Sequence, residues 1–179
     1  QNLSVIIVSF KSEHIIDRCI SSIDREIEIV VVDNSNNEEF KNTIEKKYKN
    51  VKCILSPQNI GMGAGNNLGI KNVKNDYALI LNPDVCLEEF TLNELINGSK
   101  EIDNFGIIAP LSNKHEYPNY ILDKFDMPHE SKPFKVKSVD GFAILLNLKR
   151  LKQLHKFNFF DENFFLYLEN DDLCKELKK

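Results

Sequence analysis

The chain has 179 residues, 42% hydrophobic and 28% charged, with a formal net charge of −4. That length supports one domain with a sizeable core. The negative balance excludes nucleic-acid binding through a global basic field, and no apolar run approaches the roughly 20 residues needed to span a bilayer.

Ser4 to Phe10 (SVIIVSF) reads as a buried strand, and the apolar spacing from His14 to Ile23 as a helix. Glu28 to Asp33 is a second buried strand, Glu38 to Lys49 a charged amphipathic helix, and Val51 to Leu55 a third strand. Gly61 to Val73 is a glycine-rich turn leading into a helix, followed by a fourth strand at Tyr77 to Leu81. Leu92 to Ile102 is helical, and Gly106 to Ala109 is a short strand. Ser112 to Lys135 holds three prolines in a long connection, a length that is unusual inside a compact domain and often functional. Val139 to Leu146 is one further strand. The aromatic run Phe157 to Tyr167 is expected to be core or pocket wall, and a helix starts near Glu169 and is still running where the chain stops. Strand–helix alternation of this kind predicts an α/β fold with a mostly parallel central sheet flanked by helices. The four cysteines, Cys19, Cys53, Cys86 and Cys174, are scattered without metal or redox spacing, which suits reduced, mostly buried thiols in a cytosolic protein.

Four places carry chemistry. After the fourth strand comes Asn82-Pro83-Asp84. Pro83 cannot donate to a ladder, so the strand ends and Asp84 stands just past a carboxyl end of the sheet, where open α/β sheets bind ligands. A carboxylate there, beside an amide, can hold a hard divalent cation, which in turn can hold a diphosphate. The same three residues are also ordinary turn formers. Asp33 ends a buried strand on the same edge and can accept hydrogen bonds from a base or a ribose, or simply cap a turn. Its removal is expected to weaken nucleotide binding with the fold intact. The segment Asn59 to Gly69 is not a dinucleotide fingerprint, because it follows the third strand and has Leu68 where the last glycine belongs. Its small residues instead allow close approach to a ligand or to the sheet, and four glycines in a helix argue against a purely structural role. The cluster Glu169, Asp171 and Asp172 suits a helix N-terminus or a site with a cation or a raised pKa.

The series VIIVSF, VVVDNS, NIGMGAGNN, LILNPDV, VDGFAILL and FFDENFFLYLENDDL resembles, in order and over almost the whole chain, the family-2 glycosyltransferases of GT-A fold. It is most similar to the bacterial rhamnosyltransferase-like group of surface polysaccharide synthesis. The resemblance implies a single Rossmann-like domain over 1–179, truncated at the C-terminus, with residues 1–110 as the nucleotide-sugar half and 111–179 as the acceptor half. It implies inverting transfer from a nucleotide-diphosphate sugar to a hydroxyl of a glycan or lipid-linked acceptor. It also implies Mg²⁺ or Mn²⁺ at the D-x-D position, no nucleic-acid partner, and a cytoplasmic location with peripheral membrane association. Carried over residue by residue, Ser9, Phe10, Asp33, Asn59, Gly61, Asn66 and Asn82 face the nucleotide sugar. Asp84 holds the metal, Asp140 and Gly141 lie on the acceptor side, and Glu169 supplies the base. Two departures stand out. Asn82 replaces the first carboxylate of D-x-D, and Asn170 replaces the usual base, which an amide cannot be. Glu169 is the preferred base, with Asp171 as the alternative. A non-catalytic nucleotide-sugar-binding module is the rival reading. A sugar-phosphate nucleotidyltransferase ranks lower, because no glycine follows the first strand at Ser9 to Glu13.

Overall fold

All seven residues of β1 (Leu3–Ser9) are buried, as a central strand covered on both faces requires. The computed structural model describes residues 2–102, 104–112, 118–129, 132–154 and 159–178. After β1 come α1 (Ile16–Ser21), β2 (Glu28–Asp33), α2 (Glu38–Lys47), β3 (Val51–Leu55), α3 (Gly61–Lys71), β4 (Tyr77–Leu81) and α4 (Thr91–Glu101). The second half contains β5 (Ile107–Ile108), β6 (Tyr120–Ile121), β7 (Ser138–Val139), β8 (Ala143–Asn147), α5 (Leu148–Gln153) and α6 (Glu169–Glu176).

The main sheet has the order β3-β2-β1-β4-β8-β5. β1 to β4 are mutually parallel, while β8 pairs antiparallel with both β4 and β5. The chain winds outward from β1 to β3 and then returns to place β4 on the other side of β1. The carboxyl ends of β1 and β4 therefore flank a topological switch point, where such sheets bind ligands.

Side chains alternate across the sheet. Val5, Ile7, Ile29, Val31, Leu79 and Leu81 pack against Ile16, Cys19, Phe40, Ile44 and Leu95 from α1, α2 and α4. Ile6, Val8, Val30, Val32, Ile80 and Ile144 pack against Ile70, Leu148, Leu151, Leu173 and Phe160. Helix α3 lies close to this second face because it has glycine where it meets β1. A Cβ on Gly65 would come within 2.8 Å of Val8 Cγ1, and one on Gly69 would overlap Ile6 Cγ2. Gly65 and Gly69 are thus packing residues, and at these two positions the close approach expected of the glycine cluster is to the sheet.

Two other expectations change. The strand expected over Val139 to Leu146 is two strands in two sheets. The turn at Asp140-Gly141-Phe142 breaks it, β7 pairing with β6 in a small ribbon and β8 joining the main sheet. The aromatic run divides as well. Phe160 is buried in the core, whereas Phe165, Leu166 and Tyr167 are exposed, because the segment turns back over the start of α3. Phe157 and Asn158 of that run lie outside the described residues. All four cysteines are free; Cys19 and Cys53 are buried, Cys174 is half-buried, and Cys86 is exposed. Among the described residues, no helix is long and apolar enough to cross a membrane.

Candidate active site

Ser9 and Asp33 are in-register neighbours at the carboxyl ends of β1 and β2. Asn34 N–H donates to the Ser9 carbonyl at 2.8 Å, which ties the two exits together. The Asp33 carboxylate is fully buried and accepts from the backbone N–H groups of Ser35 (3.2 Å) and Asn37 (2.8 Å). It therefore shapes the turn into α2, whose N-cap is Asn37. This duty adds a stability cost to the expected loss of nucleotide binding with the fold intact. Asp33→Ala is expected to destabilise the protein by about 2 kcal/mol, because two backbone donors lose a charged acceptor. Urea unfolding checks this, with Asp33→Asn retaining part of the stability. An unchanged midpoint for the alanine variant would mean that water satisfies both donors.

Asn34, next along, turns to the opposite face. Its amide Nδ2 donates to the Gly61 carbonyl at 3.1 Å, and that contact fixes the orientation of the amide. Its Oδ1 is then a buried acceptor with no partner among the described residues. Ser9 Oγ and Asn66 Oδ1 are in the same condition. Buried polar atoms without partners are uncommon in folded proteins and mark places where a ligand or water completes the set. Phe10 is about half exposed at the β1 exit, with Lys11 Nζ 5.4 Å from its ring centroid.

Gly61 opens α3 with φ +82°, and its N–H donates to Asn59 Oδ1 at 3.1 Å. The N-cap residue, Ile60, makes no side-chain cap. The cap comes from the other end of the chain, as Met62 N–H donates to the Phe165 carbonyl at 2.9 Å. Asn67 anchors the same loop by donating to the Phe160 carbonyl (2.8 Å) and Glu162 Oε1 (3.0 Å) and accepting from Phe160 N–H (3.1 Å). Sequence reading passed over Asn34 and Asn67. The period-2 alternation at the end of β2 puts Asn34 on the α3 face and was a usable signal for it; nothing local marks Asn67.

At the β4 exit, Asn82 N–H donates to the Phe142 carbonyl at 2.9 Å, so the Asn-Pro-Asp turn is bonded to the segment that follows Asp140-Gly141. The Asn82 carbonyl accepts from Val85 N–H (3.1 Å) and from Cys19 Sγ (3.5 Å). Burial pushes the Cys19 thiol up to about 12, with the charges of Cys86 and Asp84 adding to the effect. Cys19 therefore stays a neutral donor that steadies the turn. Asp84 itself is exposed. Gly141 lies against the Asn170 side chain, where an added Cβ would meet Asn170 Cβ at 3.3 Å. Asn170 Nδ2 donates to the Val139 carbonyl at 2.7 Å. A continuous set of contacts thus runs from Asn82 through Phe142 and Gly141 to Asn170 and its neighbour Glu169.

Glu169 is half-buried, and its Oε2 is buried with no partner among the described residues. The two residues before it, Tyr167 and Leu168, both have left-handed backbone (φ 68° and 67°). Strained non-glycine pairs of this kind persist where the surroundings over-determine them, and they cluster at functional sites. Asp171 and Asp172 share the first turn of α6. Asp172 N–H donates to the Leu168 carbonyl at 2.9 Å.

The Asn-Pro-Asp turn offers a divalent cation one exposed carboxylate, Asp84. Among the described residues, no group of three or more His, Cys, Asp or Glu side chains could hold a metal by themselves. One carboxylate is still compatible with Mg²⁺ or Mn²⁺, which use one or two and complete their shells with phosphate oxygens and water. A small cavity of about 170 Å³ lies elsewhere, between the end of α1 and the start of α4, lined by Ser22, Asp24, Ile27 and Phe90. It touches none of these residues.

The chain is 27% identical over 199 residues to the low-salt glycan biosynthesis hexosyltransferase Agl10 of Haloferax volcanii, covering 99% of this chain and 62% of that protein. It is 32% identical over 94 residues to the uncharacterized glycosyltransferase RP339 of Rickettsia prowazekii, covering 52% of this chain and 29% of the relative. The chain therefore spans less than two thirds of either. Its fold matches S. aureus TarS 1-349 in complex with UDP-GlcNAc, with TM-score 0.69, 19% identity, and coverage of 97% of this chain and 52% of that one. It also matches the mannosyltransferase PcManGT of Pyrobaculum calidifontis in complex with GDP-Man and Mn²⁺, with TM-score 0.68, 12% identity, and coverage of 98% and 51%. At those identities the likeness concerns the fold alone. The model of Glycosyl transferase family 2 matches residues 4–171, nearly the whole chain and every motif at the sheet edge, and the chain belongs to that family.

Proposed function

We propose that this chain is the catalytic domain of an inverting glycosyltransferase. It transfers a sugar from a nucleotide-diphosphate donor to a hydroxyl of a glycan or lipid-linked acceptor in surface polysaccharide synthesis. Family membership supports the class of reaction. The observation that carries the reading is the contact path from Asn82 to Asn170. It links the turn that carries the exposed Asp84 to the start of α6, where Glu169 Oε2 is buried without a partner among the described residues.

In this reading Ser9, Phe10, Asp33 and Asn34 hold the nucleoside, with Phe10 offering an aromatic face to the base. Asn59, Gly61, Asn66 and Asn82 border the donor. Asp84 would hold Mg²⁺ or Mn²⁺, which when bound neutralises charge on the leaving diphosphate. Glu169 accepts the proton of the attacking hydroxyl, Asp171 being the alternative, and Asp140-Gly141 sits on the acceptor side. The rhamnosyltransferase-like group remains the proposed subgroup, at the inner face of the cytoplasmic membrane.

The test is thermal. UDP and GDP are each expected to raise the melting temperature more in Mn²⁺ than in chelator, and Asp84→Ala to remove most of that difference. Equal shifts with and without metal would remove Asp84 from metal binding. The rival, a binding module without turnover, draws on Asn170 standing at the usual base position. It predicts the same shifts but no sugar transfer to any added acceptor.

A further inference from the structure

We infer that the ribbon formed by β6 and β7 is a docking surface for an anionic lipid membrane. The connection between these strands carries the two most exposed large apolar side chains among the described residues, Phe125 (89%) and Met127 (79%), with Ile121 (55%) beside them on β6. Among the described residues, nothing buries them. Lys124 Nζ lies 5.8 Å from the Phe125 ring centroid. Lys132, Lys135 and Lys137 are exposed on the return to β7.

The charge around this tip opposes that of the chain. Residues 118–137 contain four lysines and three acids, Asp123, Asp126 and Glu130, a net positive segment in a chain of net charge −4. One of the acids is neutralised, since Asp123 Oδ2 accepts from Lys178 Nζ at 2.7 Å. Exposed apolar side chains in a lysine-bearing connection match a surface that offers anionic headgroups outside and hydrocarbon within. The aromatic and thioether side chains enter the acyl boundary while the lysine ammonium groups stay with the phosphates. A second copy of this chain, itself acidic overall, lacks that pairing of layers.

The ribbon is rooted beside the candidate site. Asp140 N–H donates to the Asn119 carbonyl at 2.9 Å, and the following Gly141 lies against Asn170. Docking by the tip holds this edge of the domain near the bilayer, where a lipid-linked acceptor resides. Only that last consequence rests on the proposed function; lipid binding stands without it.

The experiment is sedimentation of the full chain with vesicles of phosphatidylcholine, with and without phosphatidylglycerol. Binding is expected to the anionic vesicles, at least tenfold weaker to the neutral ones, and to fall with added salt. Each lysine near an anionic surface contributes about fivefold, so replacing Lys132, Lys135 and Lys137 together by Gln should weaken binding by about 100-fold. Phe125→Ser with Met127→Ser should weaken binding about tenfold or more with an unchanged melting temperature, since both side chains are in solvent. Binding that is absent from both vesicle types, or unaffected by either set of changes, overturns the inference. So does self-association in light scattering that Phe125→Ser abolishes without any vesicle binding, which would assign the patch to a second copy. A lack of nucleotide binding would leave the lipid result standing, so the two readings fail separately.

Discussion

Glu169→Gln is expected to lower turnover by about 100-fold or more while leaving donor affinity nearly unchanged, measured with nucleotide sugar and acceptor on a version of the protein that turns over. A glutamine keeps the shape of the side chain and loses the ability to accept a proton, so the loss falls on kcat. The expectation rests on one oxygen. Glu169 Oε2 is buried without a partner among the described residues, at the end of a backbone held left-handed at Tyr167 and Leu168. An unused acceptor on a positioned carboxylate is what a base waiting for a hydroxyl presents. Asp171→Asn should be mild by comparison. If Asp171→Asn abolishes turnover and Glu169→Gln does not, the base lies two residues further along. Asn170→Asp is expected to give no rescue, because the Asn170 amide donates to the Val139 carbonyl and packs on Gly141. A carboxylate there would set two acceptors against each other, so this asparagine holds the turn rather than standing in for a lost base.

Gly61→Ala is the substitution expected to cost most in stability, roughly 3 kcal/mol. The residue has φ +82°, which costs an L-amino acid about 1–2 kcal/mol. The added Cβ also overlaps the Phe165 carbonyl oxygen. That oxygen is backbone and caps α3 through Met62 N–H, so it cannot move aside without losing the bond, worth about 1 kcal/mol. Gly98→Ala provides the contrast. It lies within α4 with nothing within 4 Å of an added Cβ, and should stabilise by about 0.5–1 kcal/mol through helix propensity and a less flexible unfolded chain. Urea unfolding of both variants checks the pair. Equal midpoints for Gly61→Ala and the parent protein would mean that the 160–168 loop does not sit on the helix start.

The central strands were readable because parallel strands covered on both faces are continuous apolar runs. β2, β3 and β4 begin and end at the residues the pattern predicts. The sheet-edge positions of Asp33 and Asn82 followed from the same runs, since a strand that stops at a polar residue delivers it to the edge. Reading failed where long-range pairing decides the outcome. VDGFAILL carries one uninterrupted strand-like pattern, yet Asp140-Gly141 breaks it because Val139 has β6 as its partner and Ala143 has β4. The sequence left open whether the glycines of α3 approach a ligand or the sheet, because the partners of Gly65 and Gly69 lie on β1, at Val8 and Ile6, far away in sequence. The double use of Asp33, as turn organiser and as candidate ligand, was also invisible, because one carboxylate in sequence does not show which donors reach it.

The cap on α3 has a consequence for how the chain is made. During synthesis, the strands and helices from β1 to α4 leave the ribosome first and can assemble their parallel sheet. The first turn of α3 then still has open N–H groups, since its capping carbonyl and the Phe160 backbone that Asn67 clasps arrive only with the C-terminal segment, 93 residues after Asn67 in the latter case. Contacts of that span form late. A ribosome-bound half would therefore hold its sheet before its helix start is closed, and the stretch around Asn59 to Met62 would be the last of the early elements to become rigid.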